Sequence, residues 1–162
     1  MAESAAPAVV VLIAEDETLV RLYATETLQE AGYQVFDARD GQEALTVLEV
    51  RGDAVRALVS DIAMPSLDGL SLAKIVSARW PHIGIILTSG YPPAELHDEM
   101  PPGARFLRKP YRPDNLVREL EAMIGDDHAV SAPVALHSIP TMQPGHMHGA
   151  GGLAQPLPEP EE

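Results

Sequence analysis

Ala57-Leu58-Val59-Ser60-Asp61-Ile62-Ala63-Met64-Pro65-Ser66-Leu67-Asp68-Gly69 is the stretch on which the reading of this chain turns. Its first four residues form a short run with no polar face, the pattern of a central strand covered by helices on both sides. A carboxylate, Asp61, ends the run. Val9 to Ala14 and Ile83 to Leu87 repeat the pattern and predict two more central strands, while the more mixed Tyr33 to Ala38 and Ala104 to Leu107 suit sheet edges. Stretches of helical period separate the five runs. That alternation predicts β-α units around a five-stranded parallel sheet, an α/β doubly wound fold with helices on both faces.

The helix signals fall between the strands. Val20, Ala24, Thr27, Leu28 and Ala31 lie on one face of a first helix that Gly32 stops. Asp40 with Glu43 three residues later forms a capping box for a second helix, which runs to about Val50. The third carries Leu72, Ile75 and Val76 and ends before Pro81; the fifth opens at Pro113, shows Leu116, Val117, Leu120 and Ile124, and closes at Gly125. The fourth is the weakest. Pro92, Pro93, Pro101 and Pro102 leave only Ala94 to Met100, about two turns, for it.

Composition bounds what such a fold does here. A chain of 162 residues that is 46% hydrophobic supplies one core of ordinary size. Residues 126–162 hold six prolines, four glycines, four histidines and five acids but no Lys, Arg or aromatic residue, too little apolar area to offset the entropy of ordering them. The expected organisation is a flexible N-terminus over 1–7, one domain over 8–125 and a disordered Pro/Gly/His-rich acidic tail over 126–162. His128, His137, His146 and His148 of the tail read as incidental rather than as a transition-metal site. Setting aside the tail's five acids, 19 acidic residues face 11 basic ones in residues 1–125, so the domain is acidic in its own right. The formal charge of −13 repels phosphate backbones and anionic membranes, and neither direct nucleic-acid binding nor membrane association is expected. With no cysteine, disulfides, thiolate metal sites and cysteine nucleophiles are excluded. The apolar run from Ala8 to Ala14 is too short to cross a bilayer and follows no basic segment, so a cytoplasmic protein is expected.

In an open parallel sheet the crevice beyond the carboxyl ends of the strands binds ligands. The residues there are chemically matched: Glu15-Asp16 after the first strand, Asp61 after the third, Thr88-Ser89 after the fourth and Lys109-Pro110 after the fifth. Three carboxylates converging on one crevice repel one another unless a cation compensates, and oxygen-only ligands select a hard ion such as Mg²⁺. Lysine and hydroxyl supply a point charge and a donor for phosphoryl oxygens, and a carboxylate nucleophile forming an acyl phosphate completes the set. Singly, each has a plain structural reading, such as an acidic helix cap after a strand. Their joint placement after the strands of one sheet carries the functional reading.

From about Val9 to Ile124 the chain resembles the receiver domain of bacterial two-component response regulators. The resemblance rests on Glu15-Asp16, on Asp61-Ile62-Ala63-Met64-Pro65-Ser66-Leu67-Asp68-Gly69, on Thr88-Ser89-Gly90-Tyr91 and on Phe106-Leu107-Arg108-Lys109-Pro110-Tyr111. It implies a flavodoxin-like strand order 2-1-3-4-5, Asp61 as phosphoacceptor, and Mg²⁺ held by Glu15, Asp16, Asp61 and the Ala63 carbonyl. Lys109 pairs with the phosphoryl group, Thr88 is the switch hydroxyl, Phe106 the switch aromatic, and the Lys109–Pro110 bond is cis. The implied donor is a phosphohistidine on a sensor histidine kinase or phosphotransfer protein. The implied activity is a signalling switch with self-catalysed phosphotransfer and autodephosphorylation only, acting as a monomer or a weak phosphorylation-dependent dimer.

This sequence departs from the family pattern in places. Glu15 stands where aspartate is frequent, Ser89 where alanine is common, and Arg112 where a small polar cap usually precedes the fifth helix. Ala63 offers no polar side chain, which argues against a dehalogenase-like phosphatase, whose general acid would occupy that position. A stand-alone response regulator is expected. The receiver portion of a hybrid kinase and a phosphorylation-independent adaptor of the same fold are the alternatives.

Overall fold

The computed structural model describes residues 7–125. They form β1 (Val10–Ala14), α1 (Thr18–Glu30), β2 (Gln34–Ala38), α2 (Gly41–Arg51), β3 (Val55–Asp61), α3 (Gly69–Arg79), β4 (Gly84–Ser89), α4 (Leu96–Glu99), β5 (Arg105–Arg108) and α5 (Pro113–Ile124). The strands pair in parallel in the order β2-β1-β3-β4-β5, as the family resemblance implies. The expected flexible start over 1–7, apart from residue 7, and the expected disordered tail over 126–162 with its histidines lie outside the described residues.

Side chains of the central strands alternate between the two faces of the sheet. Leu12, Leu58 and Leu87 join Leu48, Leu72 and Val76 of α2 and α3 in one cluster. Val11, Val59 and Ile86 join Leu28, Leu116 and Leu120 of α1 and α5 in the other. Because β1 and β3 are covered on both sides, Val11 to Ala14 and Ala57 to Val59 are at most 3% exposed. That explains why their sequences show no polar face. The mixed runs are the edges β2 and β5, with half-buried patterns.

Local signals act where the sequence places them. The Asp40 carboxylate accepts from the Glu43 N–H at 2.8 Å, and the Glu43 carboxylate reaches back to the Arg39 N–H at 2.6 Å. Asp68 caps α3 by accepting from the Ser71 N–H at 2.7 Å. α1 buries Ala24 and Leu28, and Gly32, at φ 101°, turns the chain after it. Arg112 precedes Pro113 without a side-chain cap. Trp80 ends α3, packs on the core and lies against Gly52, where a Cβ would collide with its ring.

Most element ends fall within one or two residues of the expected ones, and two differences have a clear physical cause. β3 begins at Val55, because Val10 pairs with Val55 and Val11 with Ala57, a register shift that absorbs Arg56. α4 is four residues, shorter than the expected stretch from Ala94 to Met100. Met100 precedes Pro101 and adopts φ −72°, ψ 142°, the extended conformation a following proline imposes, so the helix stops at Glu99. Among the described residues no helix is long and apolar enough to cross a membrane.

Candidate functional site

Sheet register brings the polar residues to one end. Ala14 pairs with Ser60, and Asp61 pairs with Thr88 on the next strand, so Glu15, one step beyond β1, stands level with Asp61. Ser89 pairs with Arg108, and the Lys109 N–H donates to the Ser89 carbonyl at 3.0 Å, which fixes Lys109 at the same end. The Lys109–Pro110 bond is cis.

Glu15, Asp16 and Asp61 each present a carboxylate oxygen within 4.8 Å of the other two. Glu15 and Asp61 are only 4% and 6% exposed. The Lys109 ammonium sits between that buried pair, 3.1 Å from Glu15 Oε1 and 3.4 Å from Asp61 Oδ1. Glu15 Oε2 accepts from the Glu17 N–H at 3.1 Å, and Arg21 Nη1 donates to the Glu15 main-chain carbonyl at 2.8 Å.

One ammonium against three carboxylates leaves an anionic cluster. Burial pushes the Glu15 carboxyl above its usual range, and the charge of Asp61 adds to that, while the Glu17 N–H and Lys109 oppose it. Burial likewise raises Asp61, against Lys109 and with Asp16. Burial alone would lower the Lys109 value, but the hydrogen bond and charge of Glu15, then Asp61, hold it above normal, so the ammonium form persists. An uncompensated, all-oxygen donor set without imidazole or sulfur is the chemistry of a hard divalent cation, and these residues fit Mg²⁺.

The other predicted positions surround this centre. Thr88 is 2% exposed on β4 beside Asp61. Ala63 is exposed and lines, with Asp61, Lys109, Tyr23, Tyr91 and Tyr111, an open cleft of about 880 Å³. Phe106 is half-buried against the cluster that contains Leu87 and Leu96. Arg21 carries no signal in the sequence, and Tyr111 stands there only as the last residue of the motif around Lys109. Nothing local ties an arginine six positions past Glu15 to that residue's carbonyl. Tyr111, whose phenol is pushed up to about 12 chiefly by burial and then by Glu15, Tyr23 and Asp61, shows itself only as an aromatic next to Lys109-Pro110.

The response regulator receiver domain family matches residues 11–121. The sensor kinase CckA of Brucella abortus is 36% identical over 116 residues, which are 70% of this chain but 12% of that kinase. The response regulator receiver protein CpdR of the same organism is 31% identical over 116 residues, 70% of this chain and 95% of that protein. Among solved structures, the receiver domain of the hybrid histidine kinase CckA superposes with a TM-score of 0.64 at 31% identity, covering 72% of this chain and 99% of that domain. Receiver domains bind Mg²⁺ at an acidic pocket, and this chain has an acidic cluster of Glu15, Asp16 and Asp61. The chain therefore belongs to the response regulator receiver domain family of two-component signalling.

Proposed function

We propose that this protein is a phosphoacceptor switch in which Asp61 takes a phosphoryl group from a phosphohistidine of a sensor kinase or phosphotransfer protein. The observation that carries the reading is the Lys109 ammonium bridging buried Glu15 and Asp61, with Asp16 completing a three-carboxylate cluster. Asp61, ionised, is already a nucleophile and needs no general base. A new bond forms from its carboxylate oxygen to phosphorus as the donor's N–P bond breaks, and that electron pair stays on the imidazole nitrogen. Glu15, Asp16, Asp61 and the Ala63 carbonyl are the proposed Mg²⁺ ligands. When bound, the ion supplies neutralisation of charge on the phosphoryl oxygens. Lys109 offsets charge on the same group, so catalysis is positioning and electrostatics.

Thr88 is the proposed switch hydroxyl, drawn toward the phosphoryl group. Phe106 then fills the space behind it and alters the face formed by α4, β5 and α5, a two-state device that transmits the signal to a protein partner. Leu19 and Tyr23 of α1 line the cleft and are 77% and 46% exposed, and Leu22 of the same helix is 49% exposed, an apolar surface suited to the helix that presents a donor histidine. A donor of that class places the protein in the cytoplasm. The 36% identity to a sensor kinase favours a second setting for the same chemistry, a receiver inside a larger kinase. Immunoblotting the native host separates the two settings: a band near 17.4 kDa supports the stand-alone form, and a much larger one supports the kinase.

Intact-mass spectrometry after adding a small phosphodonor tests the chemistry. A Mg²⁺-dependent gain of about 80 Da that disappears in Asp61→Asn is expected. No adduct, together with no binding of beryllofluoride, would leave the phosphorylation-independent adaptor.

A further inference from the structure

Arg21 is the best-buttressed charged side chain near the centre that has no part in the chemistry above. It projects from α1, and its side chain is 13% exposed, unusually buried for an arginine. Nη1 donates to the Glu15 main-chain carbonyl at 2.8 Å, while Nε donates to Asp37 Oδ2 on β2 at 3.2 Å. The Glu15 N–H in turn donates to the Ala38 carbonyl at 3.1 Å, so the Glu15 peptide is fastened on both sides to the end of β2. A planar guanidinium spans two acceptors in fixed directions, which an ammonium on a flexible stem does not.

We infer that Arg21 is a positioning residue for the metal centre, holding the Glu15 peptide against β2 so that its carboxylate faces Asp61; this rests on the Mg²⁺-centre reading proposed above. The carboxylate is steered from three directions. Arg21 and Ala38 fix the main chain, the Glu17 N–H orients one oxygen, and Lys109 orients the other. Outer groups that orient a ligand typically change metal affinity ten- to a hundredfold on removal. A pure charge effect has the opposite sign, since removing a positive charge beside a cation site tightens cation binding. Direction alone therefore distinguishes the two roles.

The test is calorimetric titration of Mg²⁺ into wild type, Arg21→Met and Arg21→Lys, with thermal unfolding of each Mg²⁺-free protein alongside. The expected result is Mg²⁺ binding weakened by about tenfold or more in Arg21→Met, and by less in Arg21→Lys, which keeps the charge and reaches one acceptor. Unchanged or tighter binding in a folded Arg21→Met protein, whatever its melting temperature, overturns the inference. If Arg21→Met does not fold, Arg21→Lys decides: several-fold weakening supports positioning, and wild-type affinity rejects it. Wild type that binds no Mg²⁺ overturns the metal-centre reading itself, a result distinct from a variant that binds as well as wild type.

Discussion

Asp61 is held where its ionised form is least at ease, and that has a measurable consequence. Its folded-state value and that of Glu15 lie above the ordinary carboxylate range, burial being the leading cause. A raised value means that folding favours the protonated form. The stability these two groups contribute is therefore fully present below the ordinary carboxylate range and is lost as pH rises through the raised values. Without Mg²⁺, Asp61→Asn should stabilise the protein at neutral pH, because it removes a buried charge whose ionisation opposes folding, while Lys109 keeps Glu15 as its partner. That gain should shrink in mild acid. Mg²⁺ should raise the melting temperature of wild type at neutral pH and lose this effect over the same acid window. Urea and thermal unfolding across pH, with and without Mg²⁺, check both statements, and a gain independent of pH would contradict them. A second strained position lies in the β3–α3 loop, where Ser66 has φ 69°. Ser66→Gly relieves about 1–2 kcal/mol of left-handed strain, less about 0.5–1 kcal/mol for the freer unfolded glycine. A net stabilisation of about 0.5–1 kcal/mol by urea unfolding is expected.

Among the elements, the junction of β3 with α3 transmits packing most directly to the site. The Gly69 N–H donates to the Ile62 carbonyl at 2.8 Å, and a Cβ on Gly69 would collide with the Asp61 carbonyl oxygen and the Ile62 Cα. These are backbone atoms that cannot swing aside. Gly69→Ala should cost about 2 kcal/mol or more and, because the Asp61 peptide must move, also reduce Mg²⁺ affinity in the protein that remains folded. Calorimetric titration beside urea unfolding separates the two losses; reduced stability with wild-type affinity would show that the strain is absorbed elsewhere. α4 illustrates an element set by its flanks. Four prolines bound it, and the one at position 101 takes the last turn by pushing Met100 out of helical conformation.

Across the whole molecule, what was legible in the sequence was whatever each strand or cap encodes by itself. The apolar runs around Leu12, Leu58 and Ile86 carry the signature of strands covered on both faces, and the structure puts all three in the middle of the sheet. Asp40 with Glu43 announced a helix start because the capping bonds are local. The acidic centre was legible for a related reason: a parallel sheet gathers the residues that follow its strands, so Glu15, Asp16, Asp61 and Lys109 meet wherever the strands register. The rest depends on which side chain reaches which carbonyl across the fold. Arg21 finds Glu15 through the turn into α1, and Val55 joins β3 through a one-residue register shift, neither of which leaves a mark in spacing or composition. The central claim is that Asp61, and no other residue, carries the phosphoryl group. Its most direct test is peptide-level mass spectrometry, after digestion in acid, of protein treated with a small phosphodonor and Mg²⁺. The account predicts the adduct on Asp61, and not on Asp68, in the acid-digest peptides that cover these two residues. An adduct on another residue, or one that persists at full yield in Asp61→Asn, would contradict it.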